Sequence, residues 1–320
     1  MILLVLMASL LASQPIRLEG GPLPVGQAFE IKRTLGETAF STKVDAAISR
    51  LSERAEGDGP CPTSAEAGAA AQLELVRRTD DPAAFVKARA AALAALAERR
   101  KLRARYLGGT EAPFPYNLVG HMAALARAHP ASRLGELYRR MAEDQFARID
   151  SQTLKPFLGP GVHTSWEMGL DPGALAYVNA VVENEWCAID RSNTAWLKAD
   201  LSAHGWFRIS TFGADADSAA WALVQHARHD PTFQKDVLAM LELLWRAGET
   251  KGANYANLYD QTARLDGRPG RFGMDGDCTG PGVWTPAAQE DPAQTDAWRA
   301  KAGLPPLAAY VAARSRGCTD

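Results

Sequence analysis

The chain has 320 residues, of which 47% are hydrophobic and 22% charged, with a formal net charge of −2. That length supports a large core or one domain with a helical extension, and the balance is that of an ordinary globular protein. The near-neutral charge excludes the basic footprint of a nucleic-acid binder or of a protein held on an anionic membrane; the Arg-rich run 98–103 reads as the solvated face of a helix.

The first element is an apolar run, MILLVLMASLLASQP, ending in small residues. Residues 1–13 read as a signal peptide cleaved near Ala12 or Ser13, although no Lys or Arg precedes the apolar stretch. The run is too short to span a bilayer, so no stable membrane insertion is expected once it is cleaved, and the expected location is periplasmic or secreted. The four cysteines, Cys61, Cys187, Cys278 and Cys318, form no CxxC pair, which argues against a zinc or thioredoxin-like motif. In an exported protein their even number invites disulfides, with three connectivities open. A Cys278–Cys318 bridge would bracket a Pro/Gly-rich tail.

Helical periodicity dominates the rest of the chain. After a Gly/Pro-punctuated leader, helices are predicted over about 42–54, 64–79, 82–105, 117–129 and 132–150. The stretch 151–172 reads as a long loop. Further helices are predicted near 173–187, 191–204, 214–228, 231–247 and 252–264. Gly205 and Gly248 sit where left-handed C-terminal caps belong. Asp230-Pro231 reads as an N-cap followed by proline at the first helical position. Residues 265–285 read as loop with room for a short hairpin, before last helices near 294–302 and 306–315. No fixed-period repeat is present. The expected fold is mainly α, a helical bundle or orthogonal helical array with long loops and little or no sheet. Its expected parts are an Ala-rich helical region over 14–115, a helical domain with a polar cluster over 116–275, and a Pro/Gly-rich extension over 276–320.

All eight tryptophans lie between Trp166 and Trp298, which places the functional body in the C-terminal half. There, polar residues interrupt apolar helical stripes. The stripe of Leu134, Leu137, Tyr138 and Met141 runs on into Asp144, Gln145 and Arg148. Asn193 precedes Leu197 and Leu201, with Asp190 just outside the helix start and readable as its N-cap. Gln225 and His226 follow Trp221, and Asp260 follows Ala253 and Ala256. Such groups need partners when buried, so they form either a structural network or a polar pocket. Trp206 and Phe207 stand beside them. Of these residues, His226 has the intrinsic pKa of a general base, with Asp144 or Asp190 to orient it. Gln145, Arg148, Asn193, Trp206, Gln225 and Asp260 are the candidate binding residues. His229-Asp230 has the look of a metal-phosphohydrolase pair, with His204 and Asp260 as further ligands, but the capping role already explains Asp230. Ser210 and Thr211 lack a nucleophile-elbow pattern.

Over roughly 137–273 the chain also resembles the bacterial domain of unknown function 6624. The resemblance rests on Glu143-Asp144-Gln145 with Arg148, on Asp190 with Asn193, and on Leu197, His204-Gly205-Trp206 and Ser210. It continues in Gln225-His226-Ala227 and in Asp230 to Gln234. The chain departs from the pattern at Asp260-Gln261, where the family has Asp-Arg. It departs again at Pro269 to Asp275, where the family closes with P-Q-x-Y-G-T-Q, and an insertion including Pro156 to Pro160 separates Arg148 from Asp190. The resemblance implies no reaction.

The first functional expectation is an exported helical protein with a polar, Trp-lined pocket for a small polar ligand, a hydrolase acting through His226. The alternative is a binding or interaction module with a protein partner, in which the cluster is structural. A metal-dependent hydrolase using His204, His226, His229 or Asp260 ranks third, and no metal or cofactor is expected.

Overall fold

The computed structural model describes residues 15–57, 59–149, 167 and 169–318. The signal-peptide segment, the Pro156–Pro160 insertion and most of the expected 151–172 loop lie outside the described residues. Secondary structure is overwhelmingly helical, as the periodicity predicts, and the described strands form one two-stranded sheet. Two compact units divide the chain, the boundary falling after Gly108, after Gln145 and after Ala188.

The first unit contains α1 (Val25–Leu35), α2 (Glu37–Glu56), α3 (Ser64–Arg77), α4 (Pro82–Leu107) and α7 (Pro172–Glu183). Its central element is α3, buried at nearly every position from Glu66 to Val76. Alanines along α3 and Gly173 on α7 allow the two helices to approach closely: a Cβ on Gly173 would lie 3.0 Å from Leu75 Cδ1. A capping box starts α3, with Thr63 and Glu66 each accepting from the other's backbone N–H. Its far end is closed by Lys32, whose buried ammonium donates to the carbonyls of Val76, Arg77 and Thr79 at 3.0–3.2 Å. A cation there also suits the negative end of the helix. The Cys61–Cys187 disulfide lies in this unit.

The second unit contains α5 (Asn117–Ala128), α6 (Arg133–Ile149) as far as Gln145, and α8 (Glu185–His204) from Ile189 onward. It continues with α9 (Ile209–His226), α10 (Pro231–Arg246), α11 (Gly252–Leu265), the strands β1 (Gly276–Gly280) and β2 (Val283–Pro286), α12 (Thr295–Lys301) and α13 (Leu307–Ser315). Helices α9, α10 and α11 pack on one another around Leu223, Val237, Leu241 and Leu258, all buried. The strands pair antiparallel, Cys278 opposite Trp284, and the Cys278–Cys318 disulfide ties the chain after α13 to β1.

Local capping chemistry places most helix ends where the sequence puts them. Gly205 and Gly248 take φ of 70° and 73°, and Asp230 accepts from Phe233 N at 3.0 Å ahead of Pro231. Gly213, at φ 83°, kinks α9, so its regular part starts at 214 as read from the sequence. Two expectations need correction. The leader contains α1, a helix hidden by its flanking Gly and Pro residues. The break between α7 and α8 is a single residue, Asn184, so α8 starts at Glu185 instead of 191. Asp190 is therefore inside the helix and is no N-cap.

Candidate functional site

The candidate site is built on α6 and α8, which run antiparallel and meet in successive polar rungs. At one rung Arg133 grips Asp200 with both arms of its guanidinium (2.5 and 3.2 Å) and also donates to Gly205 O at 2.8 Å. Its planar face lies 4.0 Å from the centre of the Phe207 ring. At the next rung Arg140 donates to Ser192 O, Ser192 Oγ and Asn193 Oδ1 at 3.1–3.2 Å. One turn further along α6 comes Asp144, and one turn back along α8 comes Asp190. The spacing Arg140–Asp144 and Asp190–Asn193 keeps each pair on one helix face.

His226, the last residue of α9, completes the cluster. Its Nδ1 lies 3.0 Å from Asp144 Oδ1. Asp144 is 1% exposed, and its other oxygen accepts from Gln145 Nε2 at 2.9 Å. An ionised carboxylate can only accept, so Nδ1 carries the proton and Nε2 holds the lone pair in the neutral imidazole. Asp190, partly exposed, contributes a carboxylate oxygen. One ligand-capable atom from each of Asp144, Asp190 and His226 lies within 4.8 Å of the other two. This arrangement joins a fixed imidazole to two carboxylates, the ingredients of acid–base or cation chemistry.

The position of His226 is set by residues that sequence reasoning missed. Gln234, fully buried, donates through Nε2 to the carbonyls of Val224 and Gln225 at 2.9 and 3.3 Å. Gln261 donates to the Gln225 carbonyl at 2.9 Å. Carbonyls at the end of α9 thus find partners, and Gln225 serves through its backbone. Gln234 closes the Asp-Pro-x-Phe-Gln motif, which was the available signal. Arg140 lacked one, being an Arg among several on α6.

Arg148 lies in the first unit, its guanidinium 5.3 Å from the Trp186 ring centre. Trp206 is 3% exposed and donates its indole N–H to Asp217 at 2.8 Å. Fully buried Asp217 also accepts from Thr250 Oγ1, Lys251 N and Asn254 Nδ2 at 2.6–3.1 Å. Asp260 accepts from the backbone N–H groups of Arg271, Phe272 and Met274. Burial holds its carboxyl above the ordinary range despite those bonds. It borders a cavity of about 280 Å³ lined also by Arg264, Arg268, Gly270, Gly273 and Asp275, with no Trp in its wall. Asp230 caps α10 and pairs with Lys198 at 2.5 Å.

No helix among the described residues is long and apolar enough to cross a membrane. No curated protein and no solved structure matches this chain. A family-model match begins after α6, so Asp190 and His226 lie inside it and Asp144 before it; it also runs on through the strands to the end of α13. Residues 175–316 match the model of the family of unknown function DUF6624, the family that the motifs in the sequence resemble.

Proposed function

We propose that this is an exported protein whose Asp144–Asp190–His226 cluster is an acid–base site that hydrolyses a small polar molecule. The observation that carries the reading is the 3.0 Å approach of His226 Nδ1 to the buried carboxylate of Asp144. Asp144 fixes the ring and stabilises the imidazolium that forms when Nε2 takes a proton from water. The water oxygen bonds to the electrophilic centre of the substrate, and His226 returns the proton to the leaving group. Arg140 and Asn193, one turn away, hold a polar or anionic substrate group. The two disulfides support an oxidising compartment, periplasmic or secreted.

A second reading has its own support. Both oxygens of Asp144 are engaged by protein groups, as a structural network in an interaction module would require. A hydrolysis screen of the oxidised protein over chromogenic esters, phosphoesters and amides, run beside melts, separates the two. In the hydrolytic reading His226→Gln lowers turnover by about a hundredfold or more and leaves stability within about 1 kcal/mol. In the structural reading no substrate turns over, and Asn193→Ala and His226→Gln each cost on the order of 1–3 kcal/mol. Turnover that survives His226→Gln unchanged sinks the hydrolytic reading.

A further inference from the structure

We propose that Asp144, Asp190 and His226 bind one divalent cation of the Mn²⁺ or Zn²⁺ class, resting on the reading of these three side chains as the working site. Donors about 2.1 Å from a common cation lie about 3.0–3.4 Å apart in octahedral or tetrahedral arrangements. The Asp144 Oδ1–His226 Nδ1 separation is 3.0 Å, and all three donor atoms fall within 4.8 Å. Asp190, partly exposed and engaged by the protein, would exchange that engagement for the cation to cover the remainder. Asp144 is pre-set by Gln145, whose amide holds the oxygen not facing the imidazole, the kind of outer support that fixes ligating carboxylates.

A second, independent observation points to a guest. Asn193 is 4% exposed, and its Nδ2 is buried with no hydrogen-bond partner among the described residues. It stands one turn from Asp190 on the same face of α8, its Oδ1 held by Arg140, which leaves the amide nitrogen to donate to water or substrate on the cation. Stranding such a donor is costly unless something accepts from it. One nitrogen with two carboxylate oxygens suits cations of intermediate hardness better than Ca²⁺ or Mg²⁺, which prefer all-oxygen shells. Binding moves the imidazole proton from Nδ1 to Nε2, exchanging the hydrogen bond to Asp144 for one bond from each residue to the cation. Water activation then passes from the imidazole to the cation.

The test uses the full oxidised chain, stripped with chelator and titrated with Mn²⁺ by electron paramagnetic resonance and with Zn²⁺ by calorimetry. One ion should bind per chain, with Asp190→Asn and His226→Gln each weakening it tenfold or more and the exposed Asp236→Asn leaving it unchanged. Nitrogen NMR of the His226 ring should report the proton moving to Nε2. Absence of one-to-one binding by the folded wild type overturns the proposal, as does binding that survives the double variant Asp190→Asn/His226→Gln. Neither outcome touches the acid–base reading, which stands or falls on turnover by the chelator-stripped protein and its His226→Gln variant.

Discussion

Gln234 donates its side-chain amide to the carbonyl of Val224 at 2.9 Å, ten residues back along the chain, and so closes the last turn of the helix that ends in His226. With the Gln225 carbonyl also served, one buried amide secures the backbone from which the imidazole projects. Gln234→Ala removes one partner from each carbonyl, leaving Ala227 N on Val224 O and Gln261 Nε2 on Gln225 O. It also empties a fully buried side-chain volume, and together these losses should cost about 1–3 kcal/mol. Urea denaturation with an unchanged slope would verify it, whereas a loss below about 0.5 kcal/mol would show that α9 ends without this support.

Trp206 and Asp217 should behave as a folding unit. Asp217→Asn keeps one acceptor for Trp206 and Thr250 but replaces the oxygen that accepts from Lys251 N and Asn254 Nδ2. It should cost about 1–3 kcal/mol. Trp206→Phe should cost about as much by leaving Asp217 one donor short. Thermal melts decide. If Trp206→Phe is neutral in stability yet abolishes an activity, the indole belongs to a binding surface after all.

Acid should weaken the first unit through Glu66. The Thr63 backbone N–H, together with Arg54 at 2.6 Å and the Thr63 hydroxyl, holds its carboxyl below the usual 4.5. A depressed folded value means that stability is fully present above pH 4.5 and drains away as pH falls through the lowered value. Glu66→Gln lacks this loss. The stability difference between wild type and variant should therefore shrink from pH 6 to pH 3; a constant difference would show that the carboxylate charge is irrelevant.

Denatured, unreduced protein from its native compartment should titrate no free thiol, since Cys61–Cys187 and Cys278–Cys318 account for all four cysteines. Replacing Cys278 and Cys318 together by Ser should cost up to about 4 kcal/mol through the freed 40-residue loop. Four reactive thiols would place the protein in a reducing compartment.

Much of the fold was legible in the sequence because capping is local. Gly205, Gly248 and Asp230-Pro231 mark their helix ends within two or three residues of chain. The α7–α8 break was illegible because Asn184 interrupts the helices without Gly or Pro, and Asp190 was misplaced with it. Polar residues on apolar stripes revealed Asp144, Asn193 and His226. The same reasoning named Arg148, which also follows the stripe of α6, and three-residue steps along a helix do not say which neighbour a side chain meets. Arg140, one turn before Asp144, is the arginine that reaches Asn193, and only the antiparallel register of α6 against α8 reveals it. Gln234 and Asp217 are buried by tertiary packing and look like surface residues in a window of sequence.

The disulfides join the first cysteine to the second and the third to the fourth, Cys61 to Cys187 and Cys278 to Cys318. For a polypeptide crossing a membrane N-terminus first, both members of the first pair have emerged before the third sulfur arrives. Oxidation in order of arrival thus yields the native pairing without reshuffling. Secretion in a bacterial host deprived of its disulfide isomerase, but not of its oxidase, should give undiminished yields of folded protein.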